Sequence, residues 1–105
     1  MIKQIDYTIK GYSMYPNYTP GVNLTCNITT EAQLCKINVN DLVVFYHPFK
    51  SSVKVLKRVK RIIDQKLLFV EGDNPDPNSS EDSHNFGLID ISDVIAYKKE
   101  NTYND

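Results

Sequence analysis

At 105 residues, with 41% hydrophobic and 24% charged side chains, the chain has the composition of one globular domain that needs no disulfide or metal staple. A formal net charge of −1 excludes the strong bulk attraction to nucleic acid or anionic membranes that a basic protein has. No apolar run approaches the roughly 20 residues of a bilayer span, and the opening residues, Met1 to Asp6, carry no apolar signal core, so a soluble, cytoplasmic protein without a transmembrane anchor is expected.

The first element is a strand. Ile5, Tyr7 and Ile9 alternate with Gln4, Asp6, Thr8 and Lys10, which gives one apolar face at period two. The pattern stops at Gly11, a residue that takes backbone angles others avoid and that lets another chain come close. Ser13 follows, and Pro16 restricts Tyr15 to extended or turn geometry. A serine beside a glycine at a strand end can present its hydroxyl to a ligand. A turn serine that satisfies its own backbone is the competing reading, and these six residues alone favour it.

Residues 17–40 are turn-rich and read as a surface excursion. Pro20-Gly21 marks a turn, residues 22–25 a short strand, and Thr30 caps a helical turn that reaches Leu34. Cys26 and Cys35 are too few for a disulfide framework and, with His47 and His84, do not form a metal-ligand spacing. Reduced thiols, no metal and no cofactor are therefore expected. Asn40-Asp41 turns the chain into a strand over residues 42–46, and Lys50-Ser51-Ser52 reads as the next turn.

The strand over residues 53–63 is the most informative stretch after the serine. Alternation puts Val53, Val55, Lys57, Val59, Arg61 and Ile63 on one face and Lys54, Leu56, Arg58, Lys60 and Ile62 on the other. A lysine between valines on an apolar face loses hydration, which lowers its pKa and makes the amine a usable base. An edge lysine that reaches back to water fits the same pattern equally well. The basic cluster is split across two faces, so a nucleic-acid partner is not expected. A strand over residues 66–71 follows, then a long loop from Gly72 to Ser83 whose acids lack calcium-loop spacing. Residues 94–97 form a last short strand before a polar end.

Together these segments resemble the type I signal peptidase family of serine–lysine proteases. The matching stretches are Gly11-Tyr12-Ser13-Met14-Tyr15-Pro16, Asp41-Leu42-Val43-Val44-Phe45, Lys57-Arg58-Val59, Gly72-Asp73-Asn74, and Ser80-Glu81-Asp82-Ser83 with Phe86-Gly87. They occur in the family's order over nearly the whole chain. The departures are Gly21-Val22 where the family has Gly-Asp, a longer proline-containing loop between Asn74 and Ser80, and no N-terminal anchor. Among compact anchorless members, the chain is most similar to nickel-type superoxide dismutase maturation proteases.

The resemblance implies a mainly β domain of antiparallel and mixed strands over residues 1–100, with residues 101–105 as a polar tail. It implies Ser13 as nucleophile and Lys57 as general base. Ser80 would orient the lysine. The oxyanion donors would be the Ser13 backbone N–H and a second group at position 11, which is glycine here. Tyr12 and Met14 would shape the substrate pockets, and Arg58, Gly72, Asp73, Asn74 and Asp82 would support the loop. The substrate would be a protein or peptide with an extended leader segment. Two other classes compete: a self-cleaving repressor-type regulatory domain, which needs a DNA-binding and a scissile segment upstream of Ser13, and a non-catalytic peptide-binding module on the same fold.

Overall fold

The computed structural model describes residues 3–79 and 81–100. The tail expected over residues 101–105 lies outside them, as does Ser80. Seven strands form one sheet: β1 (Gln4–Thr8), β2 (Asn23–Ile28), β3 (Leu42–His47), β4 (Lys50–Ile63), β5 (Leu67–Glu71), β6 (Ile89–Asp90) and β7 (Val94–Lys98). Their order in the sheet is β1-β2-β7-β3-β4-β5-β6. Every pairing among the described residues is antiparallel, so the expected mixture with parallel strands is not found. Two one-turn helices, α1 (Glu31–Leu34) and α2 (Ser83–Phe86), and a 3-10 turn at Ile91–Asp93 complete the chain. No helix among the described residues is long and apolar enough to cross a membrane.

β3 is central and buried on both faces. Val43 and Phe45 join Val59, Leu68, Val70, Val94 and Tyr97 in one apolar cluster, while Leu42 and Val44 join Met14, Leu24, Cys26, Leu56 and Ala96 in the other. Alternation along one strand thus feeds two cores. α1, α2 and the 3-10 turn add Leu34, Phe86 and Ile91 to the first. The β1 and β2 region closes over the second with Ile5 and Tyr7. The curl brings the edge strand β1 back toward β4, where the Tyr7 hydroxyl donates to the Lys54 carbonyl at 3.4 Å.

Several expectations are corrected. Residues 17–40 are a surface excursion only in part. β2 lies inside the sheet between β1 and β7, with Cys26 fully buried. Thr30 precedes α1 without a side-chain cap bond. The turn before β4 is Pro48-Phe49, with His47 paired to Lys50, so Ser51 and Ser52 are strand residues. The Asp64-Gln65 turn is present, both residues taking positive φ (54° and 56°), as a tight hairpin of matching twist requires. A register shift between Val59 and Arg61 opposite β5 interrupts the alternation of β4. Val55, Lys57 and Val59 do share a face, but beyond the bulge it is Ile62, not Arg61 or Ile63, that packs on their cluster. Arg61 lies over the Phe69 ring at 4.7 Å.

Phe45 is the largest fully buried side chain and meets Phe86 edge-on with centroids 6.0 Å apart. Phe45→Ala should cost about 3–5 kcal/mol in denaturant unfolding. A loss below about 1 kcal/mol would mean that this cluster is not the core of the domain.

Candidate active site

Ser13 sits in a wound turn beyond β1. Ile9 extends the strand's pairing, its N–H donating to Val22 O at 2.8 Å and its carbonyl accepting from Gly21 N–H at 2.9 Å. Gly11 then reverses the chain at φ +68°. A Cβ there would meet nothing within 4 Å, so the dihedral and not crowding calls for glycine. Tyr15 N–H donates to Tyr12 O and Tyr18 N–H to Met14 O, at 3.1 and 2.9 Å. Met14 is buried in the second core cluster and pegs this turn to the sheet. Ser13 is half-buried, and Tyr12 stands exposed with its ring edge-on to Tyr15.

The loop after β5 clamps this turn. Asn74 donates its N–H to Ser13 O and its Nδ2 to Tyr12 O, both at 2.9 Å. Its neighbour Asp73 accepts from Arg58 through both oxygens, Nε at 2.8 Å and Nη2 at 2.7 Å, in the two-pronged geometry that fixes a carboxylate's orientation. Asn17 Nδ2 also donates to Asp73, at 2.8 Å. Arg58 Nη1 donates to Asn40 O at 2.8 Å, and Glu100 completes its shell at 3.4 Å. The Arg58 and Asp73 side chains are only 9% and 8% exposed. The hydrogen bond and charge of Asp73 hold the guanidinium pKa above its ordinary value against the effect of burial. Gly72 lies beside this pair in the wall of a broad polar hollow.

Lys57, next to Arg58 on β4, points to the opposite face. It is 3% exposed and paired across the ladder with Val43. Burial pushes its pKa below the ordinary lysine value, and the carboxylates of Asp82 and Glu81 oppose that effect. Lys57 and Ser13 line the same cleft of about 270 Å³, together with Gly11, Tyr12 and Met14. Asp82 has another task besides: its carboxylate accepts from His84 N–H at 2.9 Å and caps α2, with Asn85 Oδ1 accepting in return from Asp82 N–H.

Among the cleft residues not assigned to the site from the sequence are His47, Glu81, Lys10, Lys50 and Lys54. His47 Nε2 lies 2.8 Å from Glu81 Oε1, while its Nδ1 accepts from Phe49 N–H at 3.1 Å, so the neutral ring donates through Nε2. Ser83 was quoted only as part of a motif. It is buried, and its Oγ accepts from Val70 N–H at 2.9 Å on the side of β5 where the two-residue β6 has ended. Of these, only His47 before a proline carried a local signal of strand-end placement. Cys26 and Cys35 are free thiols, the first buried and the second exposed.

No protein-family model matches this sequence, and neither does any curated protein. What the arrangement can do chemically rests on its own geometry: a hydroxyl on a clamped turn and a buried, pKa-lowered amine share one cleft.

Removing Asp73 would leave Arg58 charged and buried without its main partner, at a cost of about 3–5 kcal/mol. Asp73→Ala should therefore lower stability by that order, and amide exchange at Asn74, whose N–H bonds to Ser13 O, should speed up more than exchange at Val43 in the core. Uniform acceleration at both amides would show that the pair stabilises the fold without specifically holding the serine turn.

Proposed function

We propose that this protein is a serine endopeptidase with a serine–lysine dyad, which removes an N-terminal leader segment from a protein substrate. The observation that carries the reading is the shared cleft: Ser13 and Lys57, 44 residues apart in sequence (57 − 13), line one cavity in which burial favours the neutral amine. The resemblance in motif order supports it and adds the nickel-type superoxide dismutase precursor as the candidate substrate.

Neutral Lys57 accepts the Ser13 proton as Oγ attacks the scissile carbonyl carbon. The carbonyl π pair moves onto oxygen, where the Ser13 N–H stabilises it. When the C–N bond breaks, charged Lys57 returns the proton to the leaving amine, and an ester to Ser13 remains. Water activated by the same amine hydrolyses that ester. Arg58, Asp73 and Asn74 act by holding the turn, and touch no reacting atom.

The cleft also suits an extended chain. Among the described residues β1 pairs only with β2, and residues 50–57 of β4 pair only with β3. Apart from the Lys54 carbonyl, which accepts from the Tyr7 hydroxyl, neither edge has a strand partner among the described residues on its far side, where a substrate segment would add as a strand. A non-catalytic peptide binder would use the same edges, so the distinction lies in turnover.

Ser13→Ala should abolish cleavage of a leader-bearing precursor, and labelling by a serine-reactive probe, while circular dichroism stays unchanged. Full turnover in this variant, with contaminating protease excluded, would rule out the assigned nucleophile. Lys57→Arg should be as inactive as Lys57→Ala, since a guanidinium with pKa above about 12 accepts no proton, and the loss should be at least roughly 10²–10⁴-fold. Lys60→Arg, at an exposed position lining the other hollow, should be near-silent.

The pH dependence follows from the same amine. Activity requires neutral Lys57, and burial lowers its pKa, so kcat/KM should rise with pH through a midpoint below the ordinary lysine value of 10.5. A profile that falls over this range would count against Lys57 as the base.

A further inference from the structure

We infer that the cleft selects acidic substrate segments, with carboxylates flanking the peptide bond held at Ser13. The inference rests on the proposed peptidase reading for the position of that bond, and on charge for the rest.

The chain as a whole is slightly acidic, with 12 lysines and arginines against 13 aspartates and glutamates. The cleft departs from this balance. Four lysines line it, Lys10 just beyond β1 and Lys50, Lys54 and Lys57 from β4, and among the described residues its lining holds a single carboxylate, Glu81. That carboxylate is already engaged, accepting from His47 at 2.8 Å and from Lys50 at 3.4 Å. Lys57 is buried and pushed toward neutrality. Lys10 and Lys54 remain. Both are exposed, one on each wall, and among the described residues neither has an ion-pair partner. Several other acids gather elsewhere: Glu71, Asp73, Asp76 and Glu100 line the other hollow, and Asp82 lies between the two, lining that hollow while its charge also reaches Lys57. Composition alone does not require this separation.

An extended segment between the two open edges alternates its side chains. Positions on either side of the bond at Ser13 would come within reach of the Lys10 and Lys54 ammonium groups, whose long stems allow several substrate positions to be met. Each such pair is solvent-exposed and modest, so the lysines select among segments and do not by themselves hold one. A nucleic acid would demand a continuous basic track, whereas these two charges stand on opposite walls of a narrow cleft.

The test uses three fluorescein-labelled peptides with one alanine-rich centre and flanks of aspartate, asparagine or lysine. Binding is measured by anisotropy on the Ser13→Ala protein and cleavage on the wild type. The aspartate peptide should bind roughly threefold to tenfold tighter than the asparagine peptide, and the lysine peptide weakest, with the spread shrinking in high salt. Lys10→Glu with Lys54→Glu should invert the order. Equal binding of all three, no binding by the aspartate peptide, or a salt-independent order overturns the inference. Tighter binding of a single-stranded oligonucleotide than of the aspartate peptide overturns it in favour of nucleic acid. Charge-ordered binding with no Ser13-dependent cleavage of any peptide sinks the peptidase reading and leaves the charge selection standing. Cleavage with equal KM values does the reverse.

Discussion

The position of Ser13 depends on one buried ion pair. Arg58 is charged whatever surrounds it, and its burial on β4 is tolerable only because Asp73 meets it with both oxygens while Asn40 O and Glu100 accept further hydrogen bonds. Asp73 is one residue from Asn74, which in turn holds the carbonyls of Tyr12 and Ser13. Three residues in series, Arg58, Asp73 and Asn74, therefore tie the serine turn to the strand that carries Lys57. An apolar pair of equal volume in place of Arg58 and Asp73 could stabilise the fold as well or better. It could not fix the rotation of the loop, because apolar contact has no directionality. The two-pronged geometry supplies that direction.

Lys57 and Arg58 are adjacent cations, both nearly excluded from water, with opposite outcomes. Strand alternation sends them to opposite faces. On one face a carboxylate at hydrogen-bond distance secures the charged guanidinium. On the other, burial dominates and the carboxylates of Glu81 and Asp82 only partly offset it. Those two carboxylates have other partners: Glu81 takes hydrogen bonds from His47 and Lys50, and Asp82 is committed to the end of α2. The desolvation of Lys57 is in this way left as the larger influence.

The strands were legible because their apolar residues alternate or run unbroken, as in Leu42 to Phe45. Their phase was less so. The shift between Val59 and Arg61 is set by pairing with β5 and leaves no mark on β4 alone, so the faces drawn for residues 61–63 came out reversed. Ser51 and Ser52 have turn composition but are strand residues, because the hairpin closes two residues earlier at Pro48-Phe49. β2 was undervalued because Asn23, Thr25 and Asn27 point outward and only Leu24 and Cys26 record its buried face. α2 was missed because one helical turn has no periodicity to detect; its trace was the reciprocal cap of Asp82 and Asn85. At the candidate site, Ser13, Lys57 and the Asp73-Asn74 pair were singled out by motif order, since local pattern alone favoured a turn serine and left the lysine undecided. His47 was marked only as a strand end by the proline after it, and what brings it and Lys10 to one cleft is the curl of the sheet, which no local pattern encodes.

That curl also addresses a hazard. An open strand edge invites pairing with any other chain, and among the described residues this sheet keeps two such edges, β1 and residues 50–57 of β4, without a second strand partner. They are not presented as one flat border. The Tyr7 hydroxyl bridges them at the Lys54 carbonyl, and Lys10, Lys50 and Lys54 stand along the opening. Lysines on an edge deter a second apolar strand, since pairing would cost their hydration. The same charges attract a segment that carries carboxylates. On the proposed reading, edges guarded in this way would discriminate among extended chains before any chemistry, beside the cleft that the clamped Ser13 turn and the buried Lys57 amine both line.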